Sequence, residues 1–336
     1  MERIAFCGFG AFNTAFAAYF DRVKLADMRC WDIRQEIREY MHTHNRHPFH
    51  FPDITFSSRM DAATNLQDLL EGRQYVILGV PAQEIRRASR ELAPYYHGQT
   101  MIIVSKGLEL GTNKRLSQVV EEELRDARVA VFAGGTVAAD IVRGVPLIAE
   151  VASTDATTRE RVADLFHSTT LRMYTNPDII SVELASALKN VVSLGAGICE
   201  GLGYEIGTQA SFITRATRDI YKIAKALGAN DDTFLPGSAS VWGDIMLSSF
   251  GPTRNREYGR RICADKPVEV LQRMQEEHKT VEGYYTIQAA KRITDENHID
   301  APCVDAIYRI VYLNESPSDV LRHLLCRSRG SINRVV

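Results

Sequence analysis

The stretch RIAFCGFGAFNTAFAAYF, residues 3–20, decides how the rest of the chain is interpreted. A short apolar run ends in glycine and passes directly into helical spacing, as at the start of a dinucleotide-binding unit with the fingerprint G-x-G-x-x-G. In that fingerprint the first glycine makes a tight turn, the second lets the backbone approach a pyrophosphate, and the third lets the helix pack closely on the strand. Gly8 and Gly10 supply the first two, and Asn13 stands at the third position.

Asn13 does not exclude a dinucleotide. It would lie in the first turn of the helix, where free N–H groups and the helix dipole favour an anion. Its amide could cap the helix or form a hydrogen bond there. We therefore predict that this turn binds a cofactor pyrophosphate, with a slightly displaced helix start and an amide nearby. A G-x-G turn after an apolar strand can also be only a tight turn, so the stretch alone leaves both interpretations open.

An acidic residue about 20 positions after the second glycine ordinarily binds the ribose hydroxyls of the cofactor. Asp32 lies at that distance and directly follows the apolar run MRCW. A carboxylate there accepts hydrogen bonds from a 2′-hydroxyl and repels a 2′-phosphate, which favours NAD over NADP. Arg34, two residues later, could serve a 2′-phosphate, so NADP stays possible.

The bulk composition restricts the class of protein. A chain of 336 residues suggests about two domains. The formal net charge is −2, so there is no overall positive field for a nucleic-acid backbone, and we expect no nucleic-acid partner. The first apolar strand is too short for a signal peptide, and no apolar run suggests a membrane span. Six cysteines without a C-x-x-C pair indicate reduced thiols, and we expect a cytoplasmic protein.

Strand and helix signals alternate in the first half. The runs YVILGVPAQ and TMIIVSKG are rich in Val and Ile and enclose the helical segment AQEIRRASRELA; VAVFAGG and PLIAEVAS predict further strands. Continuous apolar strands separated by helices indicate a parallel sheet covered on both faces. From about residue 180 only long helical patterns follow. We predict an α/β, doubly wound Rossmann-type domain over residues 1–180 and an all-α domain over residues 181–336 that binds substrate and carries catalysis.

The motifs in order resemble the NAD(P)-dependent glycerol-3-phosphate dehydrogenases. The resemblance rests on GFGAFNTAFA, VILGVPAQ, VSKGLE, AGGTVAADIVRGVP, VELASALKNVVSLGAGICEGLG, GTQASFITRATRD, GPTRNREYG and TVEGYYT, and it covers residues 3–290. It implies a helical C-terminal domain like that of 6-phosphogluconate dehydrogenase and a cleft between the domains. The implied reaction is hydride transfer between a nicotinamide cofactor and the dihydroxyacetone phosphate/sn-glycerol 3-phosphate couple. A homodimer is the default expectation for such a plan.

Three residues are expected to carry catalysis. Lys189 stands among Ala, Ser, Leu and Val in LASALKNVVSL, and an apolar setting lowers the pKa of a lysine toward the range of proton transfer. The alternative is a lysine without a catalytic role, whose stem lies on the helix surface and whose ammonium reaches solvent. By resemblance Lys189 is the catalytic lysine, and Asp244 is the aspartate beside it, which would orient it and balance its charge. Lys106 follows the strand MIIVS at the carboxyl edge of the sheet, where such sheets present ligands, and the resemblance makes it a second active-site lysine.

The resemblance also assigns binding residues. A guanidinium fork suits a phosphate, and amide or hydroxyl groups add neutral donors. The substrate-binding residues by resemblance are Lys106, Thr253, Arg254, Asn255, Gly134 and Thr136. The cofactor-binding residues are Gly8, Gly10, Phe12, Asn13, Asp32, Lys106, Ala138, Arg254 and Glu282. Arg256 and Arg260 are interpreted as surface charges.

Several positions depart from the family pattern besides Asn13. Gly135 stands where the family usually has proline, and Gly207 and Gln209 stand where asparagine and lysine usually lie near the substrate. The run PGSASVWGD, which ends in Asp244, is longer by two residues than the glycine-rich run that the family usually has there, and it holds the bulky Trp242. The family frequently has an arginine that binds the 2′-phosphate of NADP. This chain has Ile33 at that position, which again favours NAD.

These departures keep two alternatives open. One is the same chemistry on another phosphate- or phosphonate-bearing hydroxy or keto compound, because a charge and a polar group near the substrate are lost. The other is a cofactor-binding homologue without catalysis, against which the retained lysines and aspartate argue.

A histidine cluster raises a separate question. His42, His44, His47 and His50 fall close together in MHTHNRHPFHF, and clustered histidines can bind zinc. The segment lies in a helix-to-strand connection after Asp32, away from the edge where chemistry is expected, so we predict no metal site.

Overall fold

The computed structural model describes residues 1–277 and 279–326. Backbone contacts divide the chain into two compact units. Unit 1 comprises Met1–Ala187 together with Gly228–Leu247, and unit 2 comprises Leu188–Leu227 together with the chain from Ser248 onward. The segment 228–247 therefore packs with the N-terminal half of the chain, although it follows two long helices in the sequence.

Unit 1 contains an eight-stranded sheet in the order β3-β2-β1-β4-β5-β6-β7-β8. The first six positions reproduce the Rossmann order, with a switch point between β1 and β4, so the predicted doubly wound domain is confirmed. The strands are β1 Arg3–Cys7, β2 Asp27–Trp31, β3 Met60–Ala62, β4 Tyr75–Leu78, β5 Thr100–Ile103, β6 Arg128–Ala133, β7 Leu147–Ala152 and β8 Leu171–Asn176. The helices are α1 Ala11–Val23, α2 Gln35–His44, α3 Leu66–Leu70, α4 Ile85–Leu92, α5 Leu116–Glu123, α6 Ala138–Arg143 and α7 Ala156–Phe166.

One strand departs from the expected parallel sheet. β7 pairs with β6 in the antiparallel direction, with Ala133 opposite Glu150, whereas β8 is again parallel to β7. Residues 134–146 connect the two strands and hold only the short helix α6. After this helix the chain turns back beside β6. The reversal places Glu150 next to the end of β6, where the predicted site begins.

Both faces of the sheet are buried. One face carries an aromatic cluster in which Phe16 and Phe20 of α1 pack on Phe132 of β6 and Phe166 of α7, with ring centroids about 5 Å apart for Phe16–Phe132, Phe16–Phe166, Phe20–Phe166 and Phe132–Phe166. The other face is formed by aliphatic side chains of β4 and β5 against α4 and α5. The near-continuous apolar strands are explained by this two-sided burial.

The described part of the second half is helical, as predicted. The helices are α8 Ile179–Gly201, α9 Ile206–Ala226, α10 Asp244–Phe250, α11 Arg254–Arg261, α12 Pro267–Glu276, α13 Glu282–Glu296, α14 Pro302–Tyr312 and α15 Pro317–Leu325. A short 3₁₀ turn, Asp231–Phe234, and one π-helical turn, Ala239–Gly243, precede α10. The first nine residues of α8 belong to unit 1 and the rest to unit 2.

The helix α8 is long and apolar enough to span a membrane by length and composition, although the sequence was expected to contain no such run. However, 94% of its most apolar window is buried inside the protein. A core helix passes the same test, and the burial of α8 fits that interpretation.

Glycines allow α11 to pack closely on α8 within unit 2. A Cβ at Gly197 would stand 2.0 Å from the carbonyl oxygen of Arg256, and one at Gly259 would stand 2.0 Å from that of Leu194. Backbone therefore lies directly on backbone at this crossing. The close contact fixes the start of α11, which carries the predicted phosphate-binding residues.

Candidate active site

The glycine turn after β1 has the geometry that its sequence predicts. Gly8 adopts φ +80°, a left-handed conformation, and a Cβ there would stand 2.6 Å from Val80 Cγ1. Gly10 is the N-cap of α1, and a Cβ there would meet no atom within 4 Å, so space lies open above the turn. The first intrahelical bond is donated by Thr14 to the Gly10 carbonyl. The N–H groups of the first helical turn therefore face a site that fits a pyrophosphate.

Asn13 takes the place of the third glycine by forming a buried bridge. Its Nδ2 donates to the carbonyl of Gly8 at 2.6 Å and to that of Ile77 on β4 at 3.4 Å. A Cβ on Gly79, after β4, would stand 2.4 Å from this Nδ2. The close approach that a glycine in the helix would provide is thus provided from the other side by Gly79, which the sequence analysis missed.

Two buried polar atoms near this edge of the sheet have no hydrogen-bond partner within the described part of the chain. They are Asn13 Oδ1 and Thr136 Oγ1. Polar atoms that are buried without a partner cost free energy. Asn13 Oδ1 is packed against Gly79 inside the buried bridge, whereas Thr136 Oγ1 is a group that a bound ligand would satisfy.

Asp32 is buried and already engaged by Arg34. Its carboxylate accepts hydrogen bonds from the Phe9 backbone N–H at 3.1 Å and from the Arg34 backbone N–H and Nε at 3.1 and 2.9 Å. Burial opposes ionisation of Asp32, but the hydrogen bonds from Arg34 and Phe9 outweigh it and lower the pKa of the carboxyl group. The Asp32 carboxylate, which favours NAD, therefore also holds the Arg34 guanidinium, which could favour NADP.

His47 closes the glycine turn from the opposite side. Its Nδ1 accepts the backbone N–H groups of Phe49 and His50, which leaves Nε2 as the donor to the carbonyl of Phe9 at 2.9 Å. Burial, followed by the nearby His50, lowers the pKa of His47 to about 4. Both ring nitrogens are thus used inside the protein, and Phe9 is held by Asp32 at its N–H and by His47 at its carbonyl.

His42 and His44 have surroundings of their own, apart from His47 and His50. His44 stacks on Tyr40 with ring centroids 4.2 Å apart, and His42 lies 3.7 Å from a carboxylate oxygen of Asp61. Among the described residues no group of three or more His, Cys, Asp or Glu side chains could hold a metal ion.

Lys106 is held at the carboxyl edge of the sheet by two partners. It follows β5, and its Nζ donates to Asp244 Oδ2 at 2.6 Å and to the carbonyl of Gly134, directly after β6, at 3.2 Å. Asp244 is fully buried, and the Lys106 side chain retains 18% of its exposure. The predicted lysine, aspartate and glycine loop are therefore brought together within unit 1.

Gly135 brings the loop after β6 into backbone contact with the turn before Asp244. A Cβ on Gly135 would stand 2.7 Å from the carbonyl oxygen of Gly243. Trp242, in the same turn, donates its indole N–H to the carbonyl of Phe234 at 3.0 Å. These two departures from the family pattern thus fall on the segments that position Asp244. Ala138, a predicted cofactor residue, is the first residue of α6.

Phe12, another predicted cofactor residue, belongs to the edge of the aromatic core. Its ring contacts Phe16 at 4.8 Å and Phe132 at 6.4 Å in edge-to-face arrangements. It is half-buried.

Lys189 lies in unit 2, on a helix whose surroundings are apolar. Its Nζ donates to Ser248 Oγ at 2.8 Å, and the residue is 8% exposed. Burial of this lysine is what the flanking sequence predicts and differs from a lysine that snorkels into solvent. Ser248, at the end of α10, was not singled out by the sequence.

Asn255 links three helices of unit 2. Its Nδ2 donates to Asn190 Oδ1 at 3.0 Å, and its Oδ1 accepts the backbone N–H of Gly283 at 2.8 Å. Asn190 is the neighbour of Lys189 on α8, so the amide of Asn255 ties α11 and α13 to the helix that carries the lysine. Thr253 caps α11, accepting from the Arg256 N–H and contacting Ser193 Oγ at 2.8 Å.

Arg254 is exposed at the first position of α11. No ion pair to it is found among the residues that the structure describes, and a helix N-terminus beside a free guanidinium suits a phosphate. Glu282 begins α13; burial raises the pKa of its carboxyl group, and the positive charge of Arg254 partly offsets this.

Arg256, which the sequence led us to interpret as a surface charge, instead takes part in a hydrogen-bond network within unit 2. Its Nε bonds Glu200 at 2.8 Å, and its guanidinium also donates to the carbonyl of Phe250 and to Gln209 Oε1. Gln209 is buried and donates to the carbonyl of Tyr204, whereas Gly207 is exposed on α9. Gln209 therefore supports the Arg256 network.

Comparisons with known proteins identify the family of the chain. Residues 3–159 match the NAD-dependent glycerol-3-phosphate dehydrogenase N-terminus, and residues 178–322 match the C-terminus. A glycerol-3-phosphate dehydrogenase [NAD(P)+] of Thermobifida fusca is 32% identical, with 98% of each chain covered, and that of Moorella thermoacetica is 33% identical, with 98% of this chain and 97% of the relative covered. The crystal structure of glycerol-3-phosphate dehydrogenase from Coxiella burnetii superposes with a TM-score of 0.87 at 24% identity, over 97% of this chain and 99% of that chain. The chain therefore belongs to the NAD(P)-dependent glycerol-3-phosphate dehydrogenase family.

Proposed function

We propose that this chain is an oxidoreductase that transfers hydride between NAD(P)(H) and the dihydroxyacetone phosphate/sn-glycerol 3-phosphate couple. Its relatives over the whole chain are named for this activity. The single observation that carries the proposal is the pair of Lys106 and Asp244 at the carboxyl edge of the sheet, 2.6 Å apart. A substrate that bears a different phosphate or phosphonate is not favoured by these relatives.

The cofactor is assigned to the switch point of the sheet. The turn of Gly8 and Gly10 and the first turn of α1 would hold the pyrophosphate, and Asp32 would hold the ribose hydroxyls. Thr136 Oγ1, which is buried without a partner among the described residues, offers a further hydrogen bond. The bound nicotinamide supplies the position that accepts or releases hydride. Because the Asp32 carboxylate is ionised and repels a 2′-phosphate, we propose that NAD is preferred.

The protein's own groups supply charge and proton transfer. Lys189 is assigned as the acid and base that moves a proton at the C2 oxygen, a task suited to a buried lysine hydrogen-bonded to Ser248. Lys106, whose position is fixed by Asp244, is assigned to hold the substrate. A positive group near a developing negative oxygen stabilises it most where water is excluded.

The phosphate group of the substrate is assigned to the start of α11. Arg254 offers a guanidinium fork, and the Thr253 cap places the free N–H groups of the helix beside it. Asn255 is interpreted as the residue that holds α11 on α8 and α13. Glu282 is assigned to cofactor binding.

We further propose a dinucleotide-binding domain over residues 1–180, in which Lys106 also holds the substrate, and a substrate-binding and catalytic domain over residues 181–336. The partner is a small phosphorylated compound, and a homodimer in the cytoplasm without a nucleic-acid partner is the expected state.

The test is a titration of the purified protein with NADH and NADPH, followed by a panel of phosphorylated ketones. We expect binding of NADH and turnover of dihydroxyacetone phosphate. Turnover of another ketone in preference would support the substrate alternative. Cofactor binding without turnover of any ketone would support a homologue without catalysis.

A further inference from the structure

The carboxylate of Glu150 lies under the turn that leads into Asp244, and nothing in the sequence analysis pointed to it. Glu150 is on β7, opposite Ala133, the residue that precedes Gly134. Its carboxylate accepts the backbone N–H groups of Ala239 at 2.5 Å and Ser240 at 3.2 Å.

Three side chains complete the shell around this carboxylate. Ser238 Oγ donates at 2.8 Å, Ser240 Oγ at 2.7 Å and Asn176 Nδ2 at 3.3 Å. The N–H donors belong to the first residues of the π-helical turn Ala239–Gly243, and a carboxylate at such an end satisfies donors that the turn itself leaves unpaired.

Burying the Glu150 carboxylate on β7 costs free energy. Glu150 is 5% exposed, and among the described residues no basic side chain lies within salt-bridge distance of it. A buried carboxylate without a cation is expensive even when it is hydrogen-bonded, and a β-branched aliphatic residue would suit a strand better. The hydrogen bonds that offset this cost all depend on the geometry around the carboxylate.

The structure assigns to Glu150 the role of a positioning residue for Asp244 and, through it, for Lys106. The four donors from Ser238, Ala239 and Ser240 hold the beginning of the π-helical turn on β7, and Asp244 directly follows the end of that turn. At that end the Gly243 carbonyl lies against Gly135, beside the carbonyl that accepts from Lys106. Glu150 therefore fixes one end of the turn and the Gly135 contact fixes the other. This role rests on the proposed function, in which Lys106 holds the substrate.

The test uses Glu150→Val, which cannot accept a hydrogen bond, and Glu150→Gln, which retains an oxygen for the two backbone N–H groups. Asp21→Asn is the control, because Asp21 likewise accepts a backbone N–H and a hydroxyl, those of Ser57, far along the chain from Asp244, and it differs from Glu150 in its ion pair with Arg59. A misplacement of a catalytic group by about 1 Å can lower a rate roughly 100-fold. We expect Glu150→Val to lower kcat/KM for dihydroxyacetone phosphate by roughly 30- to 100-fold while the Kd for NADH changes less than about twofold. Glu150→Gln should recover to within roughly threefold of the wild type, and Asp21→Asn should match the wild type in kcat/KM.

A double-mutant cycle with Asp244→Asn separates positioning from general destabilisation. If Glu150 acts through Asp244, Glu150→Val should lower kcat/KM by less than about twofold in the Asp244→Asn background. A loss that multiplies in that background, or a variant with reduced thermal stability and wild-type kcat/KM, would overturn the assignment. Ser240→Ala removes only one hydroxyl donor; it should fold readily and show a smaller loss with the same dependence on Asp244, and an unchanged kcat/KM in it would count against the assignment.

A measurement without substrate distinguishes failure of this inference from failure of the proposed function. Acetylation of Lys106 by a water-soluble reagent, scored by mass spectrometry against the exposed Lys266, reports whether the ion pair with Asp244 is intact. Glu150→Val should speed labelling of Lys106 several-fold and leave Lys266 unchanged. If the wild type turns over no ketone but the labelling changes as expected, the proposed function fails and the positioning role stands. If labelling is the same in the wild type and in Glu150→Val, the positioning role fails.

Discussion

Lys106 Nζ lies 2.6 Å from Asp244 Oδ2, and the two residues are separated by more than a hundred positions in the sequence. The carboxylate is fully buried while the lysine reaches the surface of unit 1. Because a buried carboxylate needs a partner, the lysine is held at one place at the carboxyl edge of the sheet. Since the ammonium also donates to the Gly134 carbonyl, its third N–H can then serve a ligand there.

Replacing Asp244 by Asn should keep the shape of this pair and remove its charge. We expect kcat/KM for dihydroxyacetone phosphate to fall roughly 100-fold, because Lys106 loses its fixed position. Steady-state kinetics would measure this, with Asp265→Asn as the control, since Asp265 forms an equally short ion pair with Arg273 at the surface. A variant with unchanged kinetics would contradict the role of the pair.

Lys189→Met should abolish proton transfer while keeping the apolar part of the side chain. A positioned acid or base contributes about 10²- to 10⁴-fold, so kcat should fall by at least roughly 100-fold. NADH binding, measured by fluorescence titration, should stay within about twofold of the wild type. Lys222→Met, on α9, provides a lysine control that should leave kcat unchanged. A rate near that of the wild type in Lys189→Met would refute its assignment as the proton donor and acceptor.

Asp32→Ala should shift the cofactor preference toward NADPH. The change removes the carboxylate that repels a 2′-phosphate and releases Arg34, which the carboxylate holds through three hydrogen bonds. We expect the ratio of Kd values for NADH and NADPH to change by roughly 10- to 100-fold, or about 1.4–2.7 kcal/mol. Adding Arg34→Ala should reverse the gain for NADPH. A ratio that does not move would show that Asp32 has no part in cofactor choice.

The fold was predictable from the sequence because its strands and helices repeat a strong pattern. Apolar runs bounded by glycine gave β1, β4, β5 and β6, and helical spacing gave α1, α8 and α9. β3 and α3 were not predicted, because a three-residue strand and a five-residue helix show too little periodicity. β7 was predicted as a strand from PLIAEVAS, but its antiparallel direction was not, since an apolar strand has the same composition in either direction.

The site was only partly predictable. Resemblance named Lys106, Asp244 and Lys189, but it could not show that Asp244 pairs with Lys106 inside unit 1. Residues that act through position alone, such as Gly79 and Glu150, carry no sequence signal, because their partners lie far along the chain.

His47 should make stability depend on pH in a defined window. Burial lowers its pKa to about 4 from an unfolded value of 6.5, so between these values the unfolded chain binds more protons than the folded chain. The free energy of unfolding should therefore fall as the pH decreases from 6.5 toward 4, by up to about 3 kcal/mol. Burial also lowers the pKa of His50, which acts in the same direction.

Urea unfolding at several pH values would measure this dependence for the wild type and for His47→Asn. The variant should be less stable at pH 7, because the Phe9 carbonyl loses its donor, and should show a shallower loss on acidification. His44→Asn, on the exposed end of α2, should behave like the wild type. Equal slopes for the wild type and His47→Asn would contradict the prediction.

Gly135→Pro introduces the residue that the family resemblance leads us to expect at this position, and we nevertheless expect it to impair this chain. A Cβ at Gly135 would stand 2.7 Å from the Gly243 carbonyl oxygen, and this contact is with backbone, which yields less easily than a flexible side chain. The turn that leads into Asp244 would have to shift. We expect kcat/KM to fall by roughly tenfold or more, with a smaller effect on NADH binding. Gly135→Ala should also lower kcat/KM, because it already adds the Cβ. Gly207→Ala is the control: its Cβ would meet no atom within 4 Å, so kcat/KM should not change. If proline at 135 leaves the kinetics unchanged, the turn is free to move, and Asp244 is positioned by Lys106 and Glu150 without help from the Gly135 contact.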